Sequence, residues 1–305
     1  MVNVAVVTPV HNRREITLQC LRSLARADTS GFRLDVIVVD DGSTDGTSAA
    51  IAEEFPEVRL IAGDGSLWFS EGTNLGVRDA IARGADYVLM MNDDQVFDAD
   101  FLRYLVETAE RNPRSIVGPL LLLWDAPHKL FQTSPRWETL SGGWRHWQKQ
   151  TVWSVPHRPW EVEQIVGNCV LVPAEAIKEH GMLDSKRYPN FGDMEYTPRL
   201  RKRGWRLIID PRSRVFCQPN YVPKRVVSMS PREKFNALFI DLKHIHNLRR
   251  RFYGYVDSAP TRMHGAAAFV IFFARLALGR NTESPAYGEK YFEPPIAETF
   301  ADKII

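Results

Sequence analysis

Short apolar runs alternate with amphipathic segments along the first third of the chain. Four runs have the β-branched, apolar character of strands, at residues 2–8, 34–39, 58–62 and 87–91. Between them, apolar positions recur at helical spacing and predict helices at 14–26, 44–54 and 73–83, with Ser43 or Thr44 capping the second. Apolar strands that alternate with helices predict a parallel sheet covered on both faces.

Polar clusters follow three of these strands, at residues 9–13, 40–45 and 92–95. The carboxyl ends of parallel strands meet at one edge of a sheet, and ligands of such sheets bind beyond that edge. The sequence therefore predicts a ligand site where the three clusters come together.

The rest of the chain has a different texture. Residues 124–160 combine glycines and prolines with six tryptophans, of which we expect about half to be buried, and this composition is typical of loops and short strands. Gly181 and Gly204 are expected to end two helices, and the tail after Asn281 is expected to be poorly ordered. The patterns predict strands at 162–172, 206–210 and 214–217, and helices at 174–180, 195–203, 231–253 and 261–278.

Composition narrows the function classes. The 305-residue chain has a net charge of +2, so no global basic charge favours nucleic acid as a partner. Cys20, Cys169 and Cys217 form no C-x-x-C pair, which argues against a disulfide framework and favours a reducing compartment. The sequence shows no signal-peptide pattern, and no apolar run reaches the ~20 residues of a membrane span. We therefore expect a cytoplasmic protein.

The apolar helix predicted at 261–278 has three candidate partners. Arginines stand at both of its ends, which suits shallow insertion at the inner face of the cell membrane through residues 261–280. Burial against the rest of the chain, or against a second copy in a homodimer, explains the same pattern. The sequence leaves these alternatives open.

Three acidic clusters are candidates for chemistry. Asp93 and Asp94 follow a strand, where adjacent carboxylates could hold a hard divalent cation together with phosphate oxygens. Asp41 could accept from a nucleotide base or a sugar hydroxyl, and Asp193 stands at a loop-to-helix junction that suits a general base. Each residue is also explained as a turn or capping acid, or as a charge at a helix N-terminus. A single cluster therefore does not decide the function.

The order of these segments resembles a family 2 glycosyltransferase of the GT-A fold over roughly residues 1–220. The matching stretches are VAVVTPVHNR (4–13), VIVVDDGSTDGT (36–47), VLMMNDDQ (88–95), GNCVLVPAEAIKEHGMLD (167–184) and GDMEYTPRLRKRGW (192–205). The resemblance implies an α/β GT-A (nucleotide-diphospho-sugar transferase) fold with a mostly parallel central sheet. Residues 1–120 would form the nucleotide-sugar-binding half of a 1–225 catalytic domain, residues 121–225 its acceptor half, and residues 226–305 a C-terminal helical extension.

The resemblance also assigns roles to single residues. Asp193 would be the catalytic base, and Asp94 would hold Mg²⁺ or Mn²⁺. Cys217 stands where many relatives place a histidine ligand, and a thiol suits magnesium poorly. Residues implied to bind the donor are Pro9, Val10, His11, Asn12, Arg13, Asp41, Gly63, Trp68, Asn74, Asn92 and Asp93. Residues implied to line the acceptor site are Trp137, Trp144, Trp147, Asn168, Phe191 and Gly192.

The implied reaction moves a sugar from a UDP- or dTDP-sugar to a hydroxyl of a bacterial-type glycan or a lipid-linked saccharide, with inversion. The loop GDGSLWFSEGTNLG (63–76) resembles a subgroup that includes rhamnosyltransferases, which points to dTDP-rhamnose. Asn92, Gly192 and Cys217 depart from the family pattern, so an inactive glycan- or nucleotide-binding protein on the same fold is the alternative. A nucleotidyltransferase is disfavoured because residues 9–14 contain no glycine-rich phosphate loop.

Overall fold

The computed structural model describes residues 1–147, 149–218 and 226–278, so the predicted tail after Asn281 lies outside the described residues. The strands are β1 (Val2–Val10), β2 (Phe32–Asp40), β3 (Arg59–Ala62), β4 (Tyr87–Met91), β5 (Gln95–Phe97), β6 (Ser115–Leu123), β7 (Leu130–Gln132), β8 (Arg136–Glu138), β9 (Gly143–Arg145), β10 (Trp160–Glu161), β11 (Cys169–Pro173) and β12 (Arg206–Cys217). The helices are α1 (Arg14–Leu24), α2 (Thr47–Glu54), α3 (Trp68–Ala82), α4 (Phe101–Arg111), α5 (Ala174–His180), α6 (Asp193–Lys202), α7 (Pro231–Phe235), α8 (Leu248–Ser258) and α9 (Arg262–Ala277).

One large, mostly parallel sheet organises the molecule. Its strand order is β10-β12-β6-β11-β4-β1-β2-β3, with β5 beside β12 and β7 beside β6. The strands β1 to β4 run parallel, as predicted, and β6 runs parallel to β12. The central strand β11 is antiparallel to both neighbours and joins the two parallel groups. The carboxyl ends of β1, β2 and β4 therefore meet at one edge.

Helices cover both faces of this sheet. On one face α1 and α4 bury Leu21 and Leu105. On the other, α3, α5 and α6 bury Val77, Ile177 and Leu200. Burial on both faces explains why the strands read as continuous apolar runs rather than as alternating patterns.

The helices of the predicted C-terminal extension pack against the predicted acceptor half. Helix α8 lies on α6, and Lys202 Nζ donates to the Asp257 carbonyl at 2.7 Å. Helix α9 packs on α8 and on the turn before β9, where Arg275 donates to the Ser141 carbonyl at 2.6 Å. One face of α9 is thus covered by its own chain. Within the described ranges, no helix combines the length and apolarity that crossing a bilayer requires.

The predicted start of α2 was wrong by three residues. The helix begins at Thr47 after Gly46, whose φ of 83° lies in the left-handed region. Ser43 and Thr44, the predicted caps, instead bind the turn after β1: the Ser43 hydroxyl accepts from the Asn12 N–H, and the Thr44 N–H donates to Asn12 Oδ1. Long-range contacts therefore outweigh local capping preference at this position.

The predicted strand at 162–172 is shorter in the structure. In this range only Cys169–Pro173 forms a strand, and the two-residue strand β10 lies before it. The residues ahead of β11 bind α6: the Ile165 N–H donates to Thr197 Oγ1 at 3.1 Å, and Gln164 Nε2 donates to the Met194 carbonyl at 3.0 Å. The first half of the predicted strand therefore has a helix as its partner.

The long helix predicted at 231–253 is also interrupted. It ends in a π-helical turn at Asn236–Ile240, and Asp241 then takes an extended conformation while its carboxylate accepts from the Lys243 N–H. A new helix, α8, starts where the Asn247 side chain accepts from the Arg250 N–H at 3.0 Å. Apolar periodicity does not register such polar stop and start signals.

Two elements between residues 96 and 123 were missing from the prediction. Helix α4 has the regular spacing of Phe101, Leu105 and Ala109, and β6 is buried along its whole length. The two strands predicted at 206–210 and 214–217 are one strand, β12, with a bulge between Asp210 and Arg214.

Candidate active site

The turn after β1 is locked by polar contacts at the sheet edge. Pro9 and Val10 end β1, and Asn12 follows with a φ of 52°. His11 Nδ1 lies 2.6 Å from the Asp41 carbonyl, and its Nε2 lies 3.0 Å from Asn12 Nδ2. A carbonyl only accepts and an amide nitrogen only donates, so this geometry fits a neutral His11 with its proton on Nδ1. The turn is therefore held by hydrogen bonds within the chain.

Asp41 organises the loop before α3. One carboxylate oxygen accepts from the N–H groups of Gly65 at 2.8 Å and Leu67 at 3.2 Å, and the other accepts from the Trp68 N–H at 2.9 Å. This distant capping explains why α3 starts at Trp68 rather than at the predicted Thr73. The loop passes so closely that a Cβ on Gly63 would lie 2.8 Å from Asp41 Oδ1.

Trp68 follows this loop and faces the extension. Its φ of 57° is unusual for a residue with a side chain, and 38% of its surface is exposed. Lys243 Nζ lies 3.0 Å from the centre of the indole ring. The predicted donor-site tryptophan is therefore covered on one side by a cation from the turn between Ile240 and α8, a contact that the sequence did not reveal.

The acidic cluster after β4 is bridged by one arginine. Arg13 contacts Asp93 through Nη1 and Asp94 through Nη2, both at 3.0 Å. Asp93 is buried and also accepts from the Thr17 hydroxyl at 2.9 Å. Burial raises the pKa of Asp93 to about 6, and the Arg13 charge opposes that rise. The backbone of Asn92, which precedes the pair, donates to the Asn168 carbonyl at 2.9 Å.

These residues fit a cation that is shared with a phosphate ligand. Within the described ranges, no group of three or more His, Cys, Asp or Glu side chains could hold a metal alone. Cys217 is buried, burial raises the pKa of its thiol well above the ordinary value, and its sulfur contacts Gln95 Nε2 at 3.5 Å. The available donors are thus the Asp93 and Asp94 carboxylates, and Mg²⁺ and Mn²⁺ accept such hard oxygen ligands together with phosphate oxygens.

Asp193 begins α6 and lies across the start of β11 from the acidic cluster. Its Oδ2 accepts from the Gly167 N–H at 3.1 Å. Burial raises the pKa of Asp193, opposed by the N–H groups of Gly167 and the helix start and by the positive charge of Arg250. A Cβ on Gly167 would lie 2.1 Å from the Asp193 Cβ, so only glycine permits this approach.

The loop before Asp193 is tied to α3. The Ser70 hydroxyl donates to the Tyr188 carbonyl and accepts from the Gly192 N–H at 3.2 Å. Asn74, a predicted donor residue, exchanges hydrogen bonds with the backbone of Leu183 at 2.9 and 3.0 Å. A Cβ on Gly192 would lie 2.7 Å from the Ser70 hydroxyl, which explains why an acidic side chain is absent here. Helix α3, which follows the predicted donor loop at 63–67, therefore also shapes the loop before Asp193, the predicted base.

The predicted acceptor tryptophans fall into two clusters. Trp137 and Trp144 meet edge to face at 5.4 Å, and the Trp144 N–H donates to the Ser258 hydroxyl of the extension at 3.0 Å. Trp147 instead stacks on Trp160 at 6.1 Å. Contrary to the expectation that half would be buried, all six tryptophans between residues 124 and 160 keep partial exposure. Their role at an acceptor stays a prediction.

Sequence reasoning overlooked several residues of this region. Ser70 binds the loop before Asp193 and Gly167 binds Asp193 itself, while Lys243 lies over Trp68 and Arg250 over Phe191. Arg250 places its guanidinium 3.9 Å over the ring of Phe191, a predicted acceptor residue. The available signal was the arginine run at 249–251, which lies at a helix start, where the helix dipole disfavours cations.

Comparisons with known proteins agree with this architecture. The profile of glycosyl transferase family 2 matches residues 5–153. An N-acetylglucosaminyl-diphospho-decaprenol L-rhamnosyltransferase from Mycobacterium tuberculosis is 26% identical over 205 residues, and the match spans 60% of this chain and 66% of that relative.

Solved structures extend the likeness to most of the chain. GalNAc-T7 with UDP, GalNAc and Mn²⁺ matches with a TM-score of 0.60 at 12% identity, over 91% of this chain and 57% of that one. The mannosyltransferase PcManGT from Pyrobaculum calidifontis, in complex with GDP-Man and Mn²⁺, matches with a TM-score of 0.51 at 17% identity, over 91% and 76%. At these identities the likeness establishes the fold alone. The profile and the fold agree: residues 5–153 match the glycosyltransferase family 2 profile, and the chain has a GT-A fold.

Proposed function

We propose that this protein is an inverting glycosyltransferase that moves a sugar from a nucleoside-diphosphate donor to an acceptor hydroxyl. One observation carries the proposal: the strand start at 167–168 connects the acidic cluster to the base. The Asn168 carbonyl accepts from the Asn92 N–H, and the Gly167 N–H donates to Asp193. One short segment is thus bonded both to the backbone that precedes Asp93 and Asp94 and to the carboxylate of Asp193, which supports a single displacement between two substrates.

Asp193 is the proposed general base. Its carboxylate takes the proton of the acceptor hydroxyl while the hydroxyl oxygen bonds to the anomeric carbon and the bond to the donor diphosphate breaks. Burial raises the pKa of Asp193, which strengthens the carboxylate as a proton acceptor. The bond to Gly167 holds one carboxylate oxygen and fixes the orientation of the other.

Asp94, with Asp93 beside it, would hold the divalent cation. A bound Mg²⁺ or Mn²⁺ would neutralise charge on the departing diphosphate. Arg13 now balances the two carboxylates, so it would be released or shared when cation and donor bind. Two structural neighbours are described with Mn²⁺, which supports but does not define a cation requirement for this chain.

We favour a dTDP-sugar, and dTDP-rhamnose in particular, as the donor. Support comes from the rhamnosyltransferase relative and from the loop at 63–68, which Asp41 holds against the sheet edge. For the acceptor we favour a lipid-linked saccharide at a membrane surface. Helix α9 starts at Arg262 and exposes Met263 and Phe273, which suits an anionic bilayer.

The proposed membrane contact of α9 is tested by co-sedimentation of the protein with lipid vesicles that contain or lack anionic lipid. Wild type should co-sediment with anionic vesicles, and Phe273→Glu should release it. Equal recovery of both proteins in the supernatant would contradict membrane binding by α9. A concentration-dependent dimer that Phe273→Glu dissociates would instead identify this face of α9 as a dimer interface.

Activity is tested by incubating the protein with UDP- and dTDP-sugars, Mn²⁺ or Mg²⁺, and simple or lipid-linked acceptors. A thermal-shift screen of the same donors identifies the nucleotide, because ligand binding raises stability in proportion to occupancy. Donor-dependent product that disappears with EDTA supports the proposal. Binding of nucleotide without transfer or hydrolysis of any donor would favour the inactive binding protein instead.

A further inference from the structure

Arg250 is a buried cation to which the described residues offer no ionic partner. It lies in the first turn of α8 and is only 5% exposed. Nη2 donates to the Ile245 carbonyl at 2.6 Å, whereas Nε and Nη1 have no hydrogen-bond partner in the described part of the chain. Burying a cation without such partners is costly, because the lost hydration is not replaced.

A second unpartnered donor lies in the same turn. The Asn247 side chain accepts from the Arg250 N–H through Oδ1, which fixes the orientation of its amide. Its Nδ2 group is fully buried and finds no acceptor among the described residues. Burial and the charge of Arg251 lower the pKa of Arg250 to about 9, so the surroundings do not offset its charge. An acceptor-rich, anionic group would satisfy this set and offset the charge of Arg250.

These N–H groups lie beside the loop that precedes Asp193. The Arg250 guanidinium lies on the Phe191 ring, two residues before Asp193. Its charge also acts on the Asp193 carboxylate, although no ion pair joins them. An anion bound by Arg250 would therefore lie beside the proposed base, on the side that the extension covers.

We propose that Arg250 and Asn247 form a binding site for a phosphate or diphosphate group beside Asp193. This inference rests on the proposed function, in which a diphosphate reaches this region as part of the donor or as the linkage of a lipid-linked acceptor. Guanidinium groups recognise phosphate oxygens through charge-assisted N–H donors, and the Nε and Nη1 of Arg250 are two such donors that find no acceptor among the described residues.

The first test is calorimetric titration of the full-length protein with inorganic pyrophosphate in EDTA, which removes any contribution of a cation. Arg250→Gln should weaken binding by about tenfold or more, since a charge-assisted pair is lost. The matched control is Arg249→Gln, which removes the same charge from the exposed neighbouring position and should change affinity by less than about twofold. Equal affinities of the two variants would overturn the site.

A second variant covers the case in which Arg250→Gln fails to fold. Asn247→Asp keeps the capping oxygen, so α8 should form, but it places a carboxylate beside Arg250. The internal ion pair should exclude pyrophosphate and weaken its binding by about tenfold or more. Undiminished pyrophosphate binding by a folded Asn247→Asp protein would refute the proposal.

Two further arms identify the source of the phosphate. If the donor supplies it, Arg250→Gln loses affinity for dTDP or UDP but not for the free nucleosides. If the acceptor supplies it, the variant loses transfer to diphosphate-linked acceptors but not to neutral glycosides. If the wild-type protein transfers sugar, and Arg250→Gln behaves like Arg249→Gln in both arms, then the phosphate site is rejected and the proposed function stands. Wild type without any transfer rejects the proposed function, and pyrophosphate binding then still decides the site.

Discussion

The donor side and the acceptor side of the site use their polar groups differently. On the donor side, Asp41 accepts from three backbone N–H groups, and Arg13 pairs with both Asp93 and Asp94. Beside Asp193, Arg250 and Asn247 keep donors that find no partner among the described residues. The polar groups of the donor side are therefore satisfied within the chain, whereas the donors beside Asp193 are available to a phosphate ligand. Changes on the donor side should act mainly on binding and stability, and changes near Asp193 mainly on transfer.

Gly167→Ala should break the acceptor side most severely. The new Cβ would lie 2.1 Å from the Asp193 Cβ, so the base must move. Misplacing a reacting group by about 1 Å can cost ~10²-fold, and we expect transfer to fall by about that factor while donor affinity is kept. The control is Gly254→Ala, whose Cβ meets only the flexible end of Met194. Full activity of Gly167→Ala would show that this contact does not position the base.

Asp94→Ala should weaken the donor side through the cation. Affinity for the nucleoside diphosphate in Mn²⁺ should fall about tenfold, and EDTA should then have no further effect. Wild type should lose affinity on addition of EDTA. A variant that keeps wild-type affinity and its response to Mn²⁺ would remove Asp94 from the cation site.

Asp41→Asn should loosen the loop at 63–68. The substitution replaces one carboxylate oxygen of Asp41 with an NH₂ group, which cannot accept from the backbone N–H that it faces. A buried N–H group left without an acceptor costs about 1–3 kcal/mol. We expect a lower melting temperature and a several-fold higher KM for the donor, with kcat less affected. An unchanged melting temperature with a large loss of nucleotide affinity would mean that Asp41 instead contacts the nucleotide base directly.

Lys243→Gln should give the smallest effect. It removes the cation over the Trp68 ring, a contact worth about 0.5–1 kcal/mol at an exposed site. Donor affinity should fall about two- to fivefold, and Lys243→Arg should restore it because arginine keeps the cation over the ring. Identical affinities in all three proteins would place this contact outside the donor site.

The donor half was largely predictable from sequence because its signals are local. Its first four strands are continuous apolar runs, and three of them end in polar clusters. Parallel pairing then brings these clusters to one edge without further information. Among the features that escaped prediction there, besides α4 and β6, the start of α3 depends on capping by Asp41 from another strand end.

The acceptor side was less predictable because its signals are long-range. Gln164 and Ile165, inside the strand predicted at 162–172, bind α6 instead of the sheet, and periodicity cannot identify that partner. Arg250 contacts Phe191, in the loop before Asp193, from a helix that begins 55 residues after Asp193, and only tertiary packing determines this contact. Asp193 was proposed as the base through the family resemblance rather than through a local pattern.

The central claim is that Asp193 performs the chemistry while other residues bind the donor. Asp193→Asn keeps the acceptor oxygen for the Gly167 N–H, so the fold should survive. Burial raises the pKa of Asp193, so the folded state favours its protonated form. The stability this confers is full at low pH and is lost as pH rises through that pKa. At pH 8 the uncharged amide should therefore melt no lower than wild type.

The most direct test measures donor affinity and transfer rate on the same Asp193→Asn sample at pH 8. We expect the nucleoside-diphosphate dissociation constant to stay within about twofold of wild type, while transfer falls by about 10²–10⁴-fold. Transfer at a near wild-type rate would show that Asp193 is not the base and would contradict the account.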